Sequence, residues 1–184
     1  MSKRIAYLAA AAFSVLAITA TVTAPVSAQE KTVMVGGAAM FPSKNIVQNA
    51  VNSKDHTTLV AAVKAAGLVP TLEGKGPFTV FAPTNAAFGK LPAGTVETLI
   101  KPESKATLTK ILTYHVVPGK LDAASLTDGK KLTTAEGEEL TVKLQDGKVW
   151  IVDAKGGTSQ VTISNVNQSN GVIHVIDTVL LPAS

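Results

Sequence analysis

The side chains best suited to chemistry in this sequence are three histidines, His56, His115 and His174. Imidazole can ligate zinc or act as a general base near neutral pH, but the three lie far apart, and no pair has the short spacing typical of a zinc site. His115 and His174 lie within apolar stretches, which predicts core histidines with satisfied hydrogen bonds. His56 follows a predicted helix cap at Asp55, so we expect it to be exposed. The histidines therefore predict neither a metal site nor a catalytic base.

Carboxylates and glycine-rich motifs give no stronger sign of catalysis. Glu136, Glu138 and Glu139 lie close together, but they precede a predicted strand and are typical of a solvated turn. The sequence has no nucleophile elbow, phosphate-binding loop or dinucleotide fingerprint. It has one tryptophan and 4% aromatic residues, few stacking platforms for a sugar-cleaving cleft. We therefore expect no enzyme and no cofactor.

Composition excludes further classes of protein. There is no cysteine, so disulfides and thiolate metal sites are excluded. The net charge is +4, and Lys3 and Arg4 at the N-terminus contribute two of these charges. All other strongly basic residues are lysines, scattered along the chain. Nucleic-acid-binding domains cluster their basic residues and favour arginine, so we expect no nucleic-acid partner.

Residues 1–28 have the pattern of a secretory signal peptide. A basic start is followed by an apolar run from Ile5 to Ala24, and small residues lead to a predicted cleavage site after Ala28. The run is long enough to span a membrane, so retention as an anchor is the alternative. With cleavage, we expect a secreted or periplasmic protein, with cell-surface association as a further option and no stable membrane span.

The rest of the chain predicts helices first and strands later. Residues 29–44 are expected to form a lead-in, with Gly36 and Gly37 as a flexible joint. Helices are predicted at 45–51, 55–67, 84–88 and 105–113. Strands are predicted at 78–81, 114–117, 140–144, 148–152, 161–163 and 172–176. This order favours the α+β fold class.

Three segments are more specific than the rest. They are TVFAPTNAAF at 79–88, LTYHVVPG at 112–119 and NGVIHVIDTVLLP at 170–182. In this order and spacing they resemble the fasciclin domain, as it occurs in single-domain secreted bacterial proteins. The resemblance runs from about residue 45 to 182, and we expect a fasciclin-like domain at 45–184. It implies a β-sandwich-like wedge of about seven strands, with several helices packed along one side. It also implies an extracellular interaction module.

The same resemblance points to two adhesion candidates. A Tyr-His pair attributed to adhesion in animal members of the family matches Tyr114 and His115. We favour a structural role for this pair, and direct contact with a partner is the alternative. The family's Asp-Ile pair falls on Asn165 and Val166, where an amide replaces the carboxylate. Integrin-type recognition engages a ligand carboxylate through a metal ion, so the amide weakens the second candidate.

Two functions from different classes therefore follow from the sequence. The preferred one is a secreted cell-adhesion module that makes protein-protein interactions with a cell-surface, matrix or host partner. The alternative is a carrier of a small apolar ligand in the periplasm or cell envelope, which needs an apolar pocket between helices and strands. An enzyme is the least favoured hypothesis.

Overall fold

The computed structural model describes residues 31–183, so the predicted signal peptide at 1–28 lies outside the described residues. Within this range the helices are α1 (Ile46–Ala50), α2 (Thr57–Ala66), α3 (Val69–Glu73), α4 (Asn85–Gly89), α5 (Thr95–Leu99) and α6 (Lys105–Tyr114). The strands are β1 (Val33–Val35), β2 (Ala38–Met40), β3 (Phe78–Pro83), β4 (Val116–Pro118), β5 (Lys131–Thr133), β6 (Glu139–Gln145), β7 (Lys148–Val152), β8 (Thr158–Gln168) and β9 (Gly171–Ile176). No helix among residues 31–183 has the length and apolar character needed to cross a membrane.

One curled sheet organises the fold. Its seven strands follow the order β4-β3-β9-β8-β7-β6-β5, and β1 and β2 form a separate hairpin. Neighbouring strands are antiparallel except β3 and β9, which are parallel. The sheet nearly closes into a barrel, because the Ala135 amide beyond β5 donates to the Val116 carbonyl oxygen of β4 at 2.7 Å. The α+β class and the fold expected from the resemblance are confirmed.

The paired strands β3 and β9 carry apolar side chains on both faces. Val80 and Ile173 pack in a core shared with the helices, whereas Phe81 and Ile176 pack in a second core inside the curled sheet. Every residue of β9 is buried. The prediction of a central, covered strand at 172–176 is therefore confirmed. Parallel strands are usually covered on both faces, and β9 pairs in parallel with β3.

Asn170, directly before β9, joins three elements of the fold. Its Oδ1 accepts a hydrogen bond from the Ile46 amide at 3.1 Å, at the start of α1. Its Nδ2 donates to the carbonyl oxygens of Leu72 at 2.7 Å and Gly74 at 2.9 Å, at the end of α3. Its own carbonyl oxygen accepts from the Phe78 amide at 3.0 Å, where β3 begins. One buried side chain thus positions two helices on the parallel strand pair.

Helix α2 begins differently from the prediction. Asp55 does not cap it but lies in a 3-10 turn over Lys54–His56. The cap comes from α4 instead, because Asn85 Oδ1 accepts a hydrogen bond from the Thr58 amide at 3.0 Å. An amide in the first turn needs such an external partner. The predicted end of the helix is confirmed, since Gly67 has the left-handed φ of 73°.

The N-terminal lead-in packs on the domain. Gly36 and Gly37 have φ values of 57° and 75° and form the tight turn between β1 and β2, not a flexible joint. Val35 and Met40 of this hairpin are buried in the core shared with the helices. Gly36 lies so close to Ser53 that a Cβ there would overlap the Ser53 hydroxyl. The hairpin therefore covers the start of the helical layer.

We expect Asn170→Ala to lower the free energy of unfolding by about 3 kcal/mol, because buried backbone groups of α1 and α3 lose their partner. Urea denaturation followed by circular dichroism measures the change. Asn52→Ala is the matched control, since the Asn52 side chain is exposed and makes one hydrogen bond, to the Gln48 carbonyl oxygen. Equal losses for the two variants would contradict the role assigned to Asn170.

Candidate interaction surface

The Tyr-His pair lies where helix α6 ends. Tyr114 is the last residue of α6, and His115 is its C-terminal cap. Strand β4 starts only at Val116, so the prediction of a strand from 114 was two residues too early. The exposed fractions are 0% for Tyr114 and 2% for His115, so neither side chain belongs to the surface.

Tyr114 fastens α6 to the curled sheet through its hydroxyl. The hydroxyl oxygen accepts a hydrogen bond from the Ala154 amide at 2.8 Å. The hydroxyl donates to the Glu139 carbonyl oxygen at 3.3 Å. Burial raises the pKa of Tyr114, and the Ala154 amide opposes this to a smaller extent. The phenol therefore remains a neutral donor that links three segments.

Both ring nitrogens of His115 have backbone partners. Its Nδ1–H donates to the Ile111 carbonyl oxygen at 2.7 Å, and its Nε2 accepts from the Leu180 amide at 3.0 Å. An amide can only donate, so these partners select the neutral tautomer with the proton on Nδ1. Burial lowers the pKa of His115 to about 4, against smaller opposing effects of the Ile111 carbonyl and the Asp153 charge. The prediction of a satisfied core histidine is confirmed.

His174 has a corresponding role on β9. Its Nε2–H donates to the Leu121 carbonyl oxygen at 2.7 Å, and its Nδ1 accepts a long hydrogen bond from the Asn165 amide at 3.4 Å. The Phe81 ring stacks on it at 5.7 Å between centroids. Burial lowers the pKa of His174, while the Leu121 backbone and the Asp122 charge raise it less. The core prediction is confirmed here too.

The second pair of adhesion candidates divides between surface and core. Asn165 is exposed, and Val166 is buried with 1% of its surface accessible. Asn165 lies in an irregular part of β8 with φ of 57°, a left-handed conformation that asparagine tolerates better than most residues. Its Oδ1 accepts from the Ala123 amide at 2.7 Å. The amide side chain thus holds the loop that follows β4.

That loop, residues 119–125, is fixed through its backbone. The Thr79 hydroxyl donates to the Gly119 carbonyl oxygen at 2.7 Å and accepts from the Leu121 amide at 2.9 Å. His174 and Asn165 add the two hydrogen bonds described above. The side chains of Lys120 and Asp122 are exposed on this loop. We call Lys120, Asp122 and Asn165 the loop surface.

Sequence reasoning did not single out Lys120 or Asp122. No motif marks them, because the residues that position them lie far away on β3, β8 and β9. Asp122 directly precedes Ala123, whose amide binds Asn165. The resemblance expects a carboxylate at position 165, where this sequence has asparagine. The loop surface nevertheless contains a carboxylate, that of Asp122, next to the residue that binds Asn165.

His56 corrects an expectation, since it is buried and only 3% exposed. Its Nδ1 lies 2.9 Å from the Ser53 hydroxyl, whereas its Nε2 has no hydrogen-bond partner. Burial lowers its pKa, with smaller opposing effects of the Ala82 backbone and the Asp55 charge. A signal for burial was available in the sequence. Leu59 and Val63 follow His56 by three and seven residues, which places His56 in line with the apolar face of α2 although it precedes that helix.

The three neighbouring glutamates all have partners, and only Glu139 is exposed. Glu138 Oε2 accepts a hydrogen bond from the Ala183 amide at 2.7 Å. Glu136 lies 3.5 Å from Lys110, and Glu139 lies 3.0 Å from Lys131. Among residues 31–183 there is no cluster of three or more side chains suited to a metal ion.

The structure therefore defines an α+β module in which a curled seven-stranded sheet, backed by helices, presents a charged loop held by polar side chains of its strands. The Fasciclin domain family model matches residues 54–182. The chain belongs to the fasciclin domain family.

Relatives and a solved structure agree with this assignment. The chain is 54% identical to protein sll1483 of Synechocystis over 83% of this chain and 82% of the relative. It is 37% identical to the cell surface glycolipoprotein MPB83 of Mycobacterium bovis, over 80% of this chain and 64% of the relative. A domain pair from the insect cell adhesion molecule Fasciclin I has the same fold, with a TM-score of 0.68, 19% identity, and coverage of 77% of this chain and 52% of that chain.

We expect the free energy of unfolding to fall as the pH falls from 6.5 to about 4. In this window His115 becomes protonated in the unfolded chain but stays neutral in the folded protein. His115 alone accounts for up to about 3 kcal/mol, and the lowered pKa values of His56 and His174 act in the same direction. Urea denaturation at several pH values measures the loss, and ¹⁵N NMR follows each imidazole. A His115 ring that titrates near pH 6.5 would contradict the expectation.

Proposed function

We propose that the protein is a non-enzymatic extracellular module, secreted or periplasmic, that binds a protein on a cell surface, in a matrix or on a host. The observation that carries this proposal is membership of the fasciclin domain family, together with relatives described as a cell surface glycolipoprotein and a cell adhesion molecule. The predicted signal peptide at 1–28 supports the location.

The loop surface is the part of the domain best suited to such binding. Recognition needs side chains that are accessible to a partner and already held in place, because ordering a mobile loop on binding reduces affinity. Lys120, Asp122 and Asn165 meet both conditions: their side chains are exposed, and the loop backbone has hydrogen bonds to Thr79, His174 and Asn165. They also offer charges of both signs and an amide.

Tyr114 and His115 contribute to this proposal indirectly. Both are buried, and His115 leads straight into β4, whose end begins the loop. We therefore expect them to affect adhesion through the position of the loop. The alternative is direct contact with a partner through Tyr114, His115 or Val166. The burial of these three side chains argues against it.

We expect Asp122→Asn to reduce adhesion about tenfold without changing the melting temperature, since it removes one exposed charge and keeps the shape. Surfaces coated with purified protein are tested for attachment of cells from the source organism and of cultured animal cells. Asp146→Asn is the control: Asp146 is also an exposed aspartate, but it lies in the β6–β7 turn, with φ of 53°, which asparagine accepts. Equal attachment to the Asp122 variant and the original protein would exclude the loop surface.

His115→Ala separates an indirect role from a direct one. We expect adhesion and melting temperature to fall together, because the Leu180 amide and the Ile111 carbonyl oxygen lose their partner. Lost adhesion at an unchanged melting temperature would instead assign His115 to the binding surface. Absence of attachment for the original protein under all these conditions would contradict the proposed function itself.

A further inference from the structure

The outer face of the curled sheet carries the chain's only tryptophan, Trp150. Along β7, Val149 and Ile151 pack in the second core, so Lys148, Trp150 and Val152 alternate onto the outer face. Lys148 is exposed there, whereas Trp150 and Val152 are half-buried. This part of the sheet therefore presents a short apolar strip to solvent, with a positive charge at one end.

The strands on either side of β7 place polar side chains next to the indole. Lys143 of β6 pairs with Trp150 on one side, and Gln160 of β8 pairs with it on the other. Directly paired residues of antiparallel strands have Cβ atoms about 5 Å apart, and Lys148, two residues along β7, lies about 7 Å away. We call Lys143, Lys148, Trp150, Val152 and Gln160 the tryptophan face.

The polar groups of the tryptophan face have no partners within the domain. Among residues 31–183, the side chains of Lys143, Lys148 and Gln160 make no hydrogen bond or ion pair. Trp150 Nε1 is enclosed and also lacks a partner, so the accessible part of the indole is carbon. The face thus combines a carbon platform with two free ammonium groups and a free amide.

The carboxylates around the tryptophan face are paired or lie at its ends. Glu139 and Asp177 each form an ion pair with a lysine outside the face, at 3.0 and 3.3 Å. Asp128 accepts a backbone hydrogen bond from β6 at 2.7 Å, and Asp146 lies in the β6–β7 turn. The row of paired residues through Trp150 contains a lysine and a glutamine but no carboxylate. The charges beside the indole therefore favour an anionic partner.

We propose that the tryptophan face binds an acidic polysaccharide whose sugar residues carry carboxylates. A pyranose ring presents C–H groups that stack on the negative face of an indole. Its hydroxyls pair with the Gln160 amide, and its carboxylate pairs with the ammonium group of Lys143 or Lys148. Each sugar residue thus offers a partner for every polar group of the face and for the ring. The proposal does not rest on the loop surface or on its protein partner.

Other anionic partners fit these features less completely. Single-stranded nucleic acid also stacks on aromatic rings, but its sites combine them with a positively charged groove, and this chain has one tryptophan and scattered lysines. An anionic membrane attracts clusters of basic residues and takes up apolar side chains that project from a surface, whereas Trp150 and Val152 are half-buried in a sheet. A sugar that bears a carboxylate is therefore the ligand that this face favours.

The test titrates the purified protein with a short oligogalacturonate and with its methyl ester, which has the same sugars without the charge. Tryptophan fluorescence and the indole ¹⁵N resonance report on this face alone, because Trp150 is the only tryptophan. We expect the oligogalacturonate to change both signals, and the methyl ester to bind about tenfold more weakly. High salt should weaken only the charged ligand. Equal binding of the two ligands, or no change in either signal, would overturn the proposal.

Matched double variants locate the site. Lys143→Gln combined with Lys148→Gln should weaken oligogalacturonate binding about tenfold, because both ion pairs are lost. Lys75→Gln combined with Lys101→Gln is the control, since these exposed lysines follow α3 and α5 and their loss removes the same charge. An equal loss in the control would assign binding to net charge and contradict the proposal. Tighter binding of an oligothymidylate than of the oligogalacturonate would assign the face to nucleic acid and contradict it too.

Trp150→Leu tests the stacking platform and is measured by calorimetry. It should weaken oligogalacturonate binding about tenfold, while circular dichroism verifies the fold. Unchanged binding would show that the indole is not used and would overturn the proposal. If the variant fails to fold, the lysine variants decide the question. Asp122→Asn should leave this binding unchanged, which separates the tryptophan face from the loop surface.

Discussion

The parallel pairing of β3 with β9 is the constraint on which the rest of this fold depends. The paired residues Phe78 and Gly171 are about 90 positions apart in the chain, so the pairing closes a long loop and must offset its entropy. The missing side chain of Gly171 allows the two backbones to come this close, because a Cβ there would overlap the Phe78 carbonyl oxygen. Asn170 adds hydrogen bonds to α1 and α3 at the same point. Both cores are then completed on the two faces of this strand pair.

The three histidines are all buried, but they differ in how many of their ring nitrogens are hydrogen-bonded. His115 and His174 are neutral rings whose nitrogens hold backbone segments from distant parts of the chain, so burial makes them structural. His56 is buried as deeply but satisfies only one nitrogen. The same residue type therefore serves as a cross-link in two places and leaves an unused hydrogen-bonding atom in the third.

The central strands and the helix ends were predictable from sequence because their causes are local. The alternation in 172–176 and the left-handed glycine at Gly67 need only neighbouring residues. The cap of α2 was not predictable, since it comes from Asn85 on another helix. The exposure of His56 was mispredicted although a local signal existed, since its spacing to Leu59 and Val63 indicates the buried side. Of the adhesion candidates that the resemblance named, Asn165 has an exposed side chain. Lys120 and Asp122 were not among the candidates, because their loop is positioned by residues of β3, β8 and β9.

The way the loop after β4 is held has a consequence for variation. The hydrogen bonds from Thr79, His174 and Asn165 all end on main-chain atoms of the loop, at Gly119, Leu121 and Ala123. Any amino acid except proline supplies the same main-chain groups. The outward side chains at 120, 122 and 124 can therefore change with little effect on the conformation that displays them. This makes the domain a scaffold that can acquire new specificities by drift at a few positions, and a practical framework for randomised libraries.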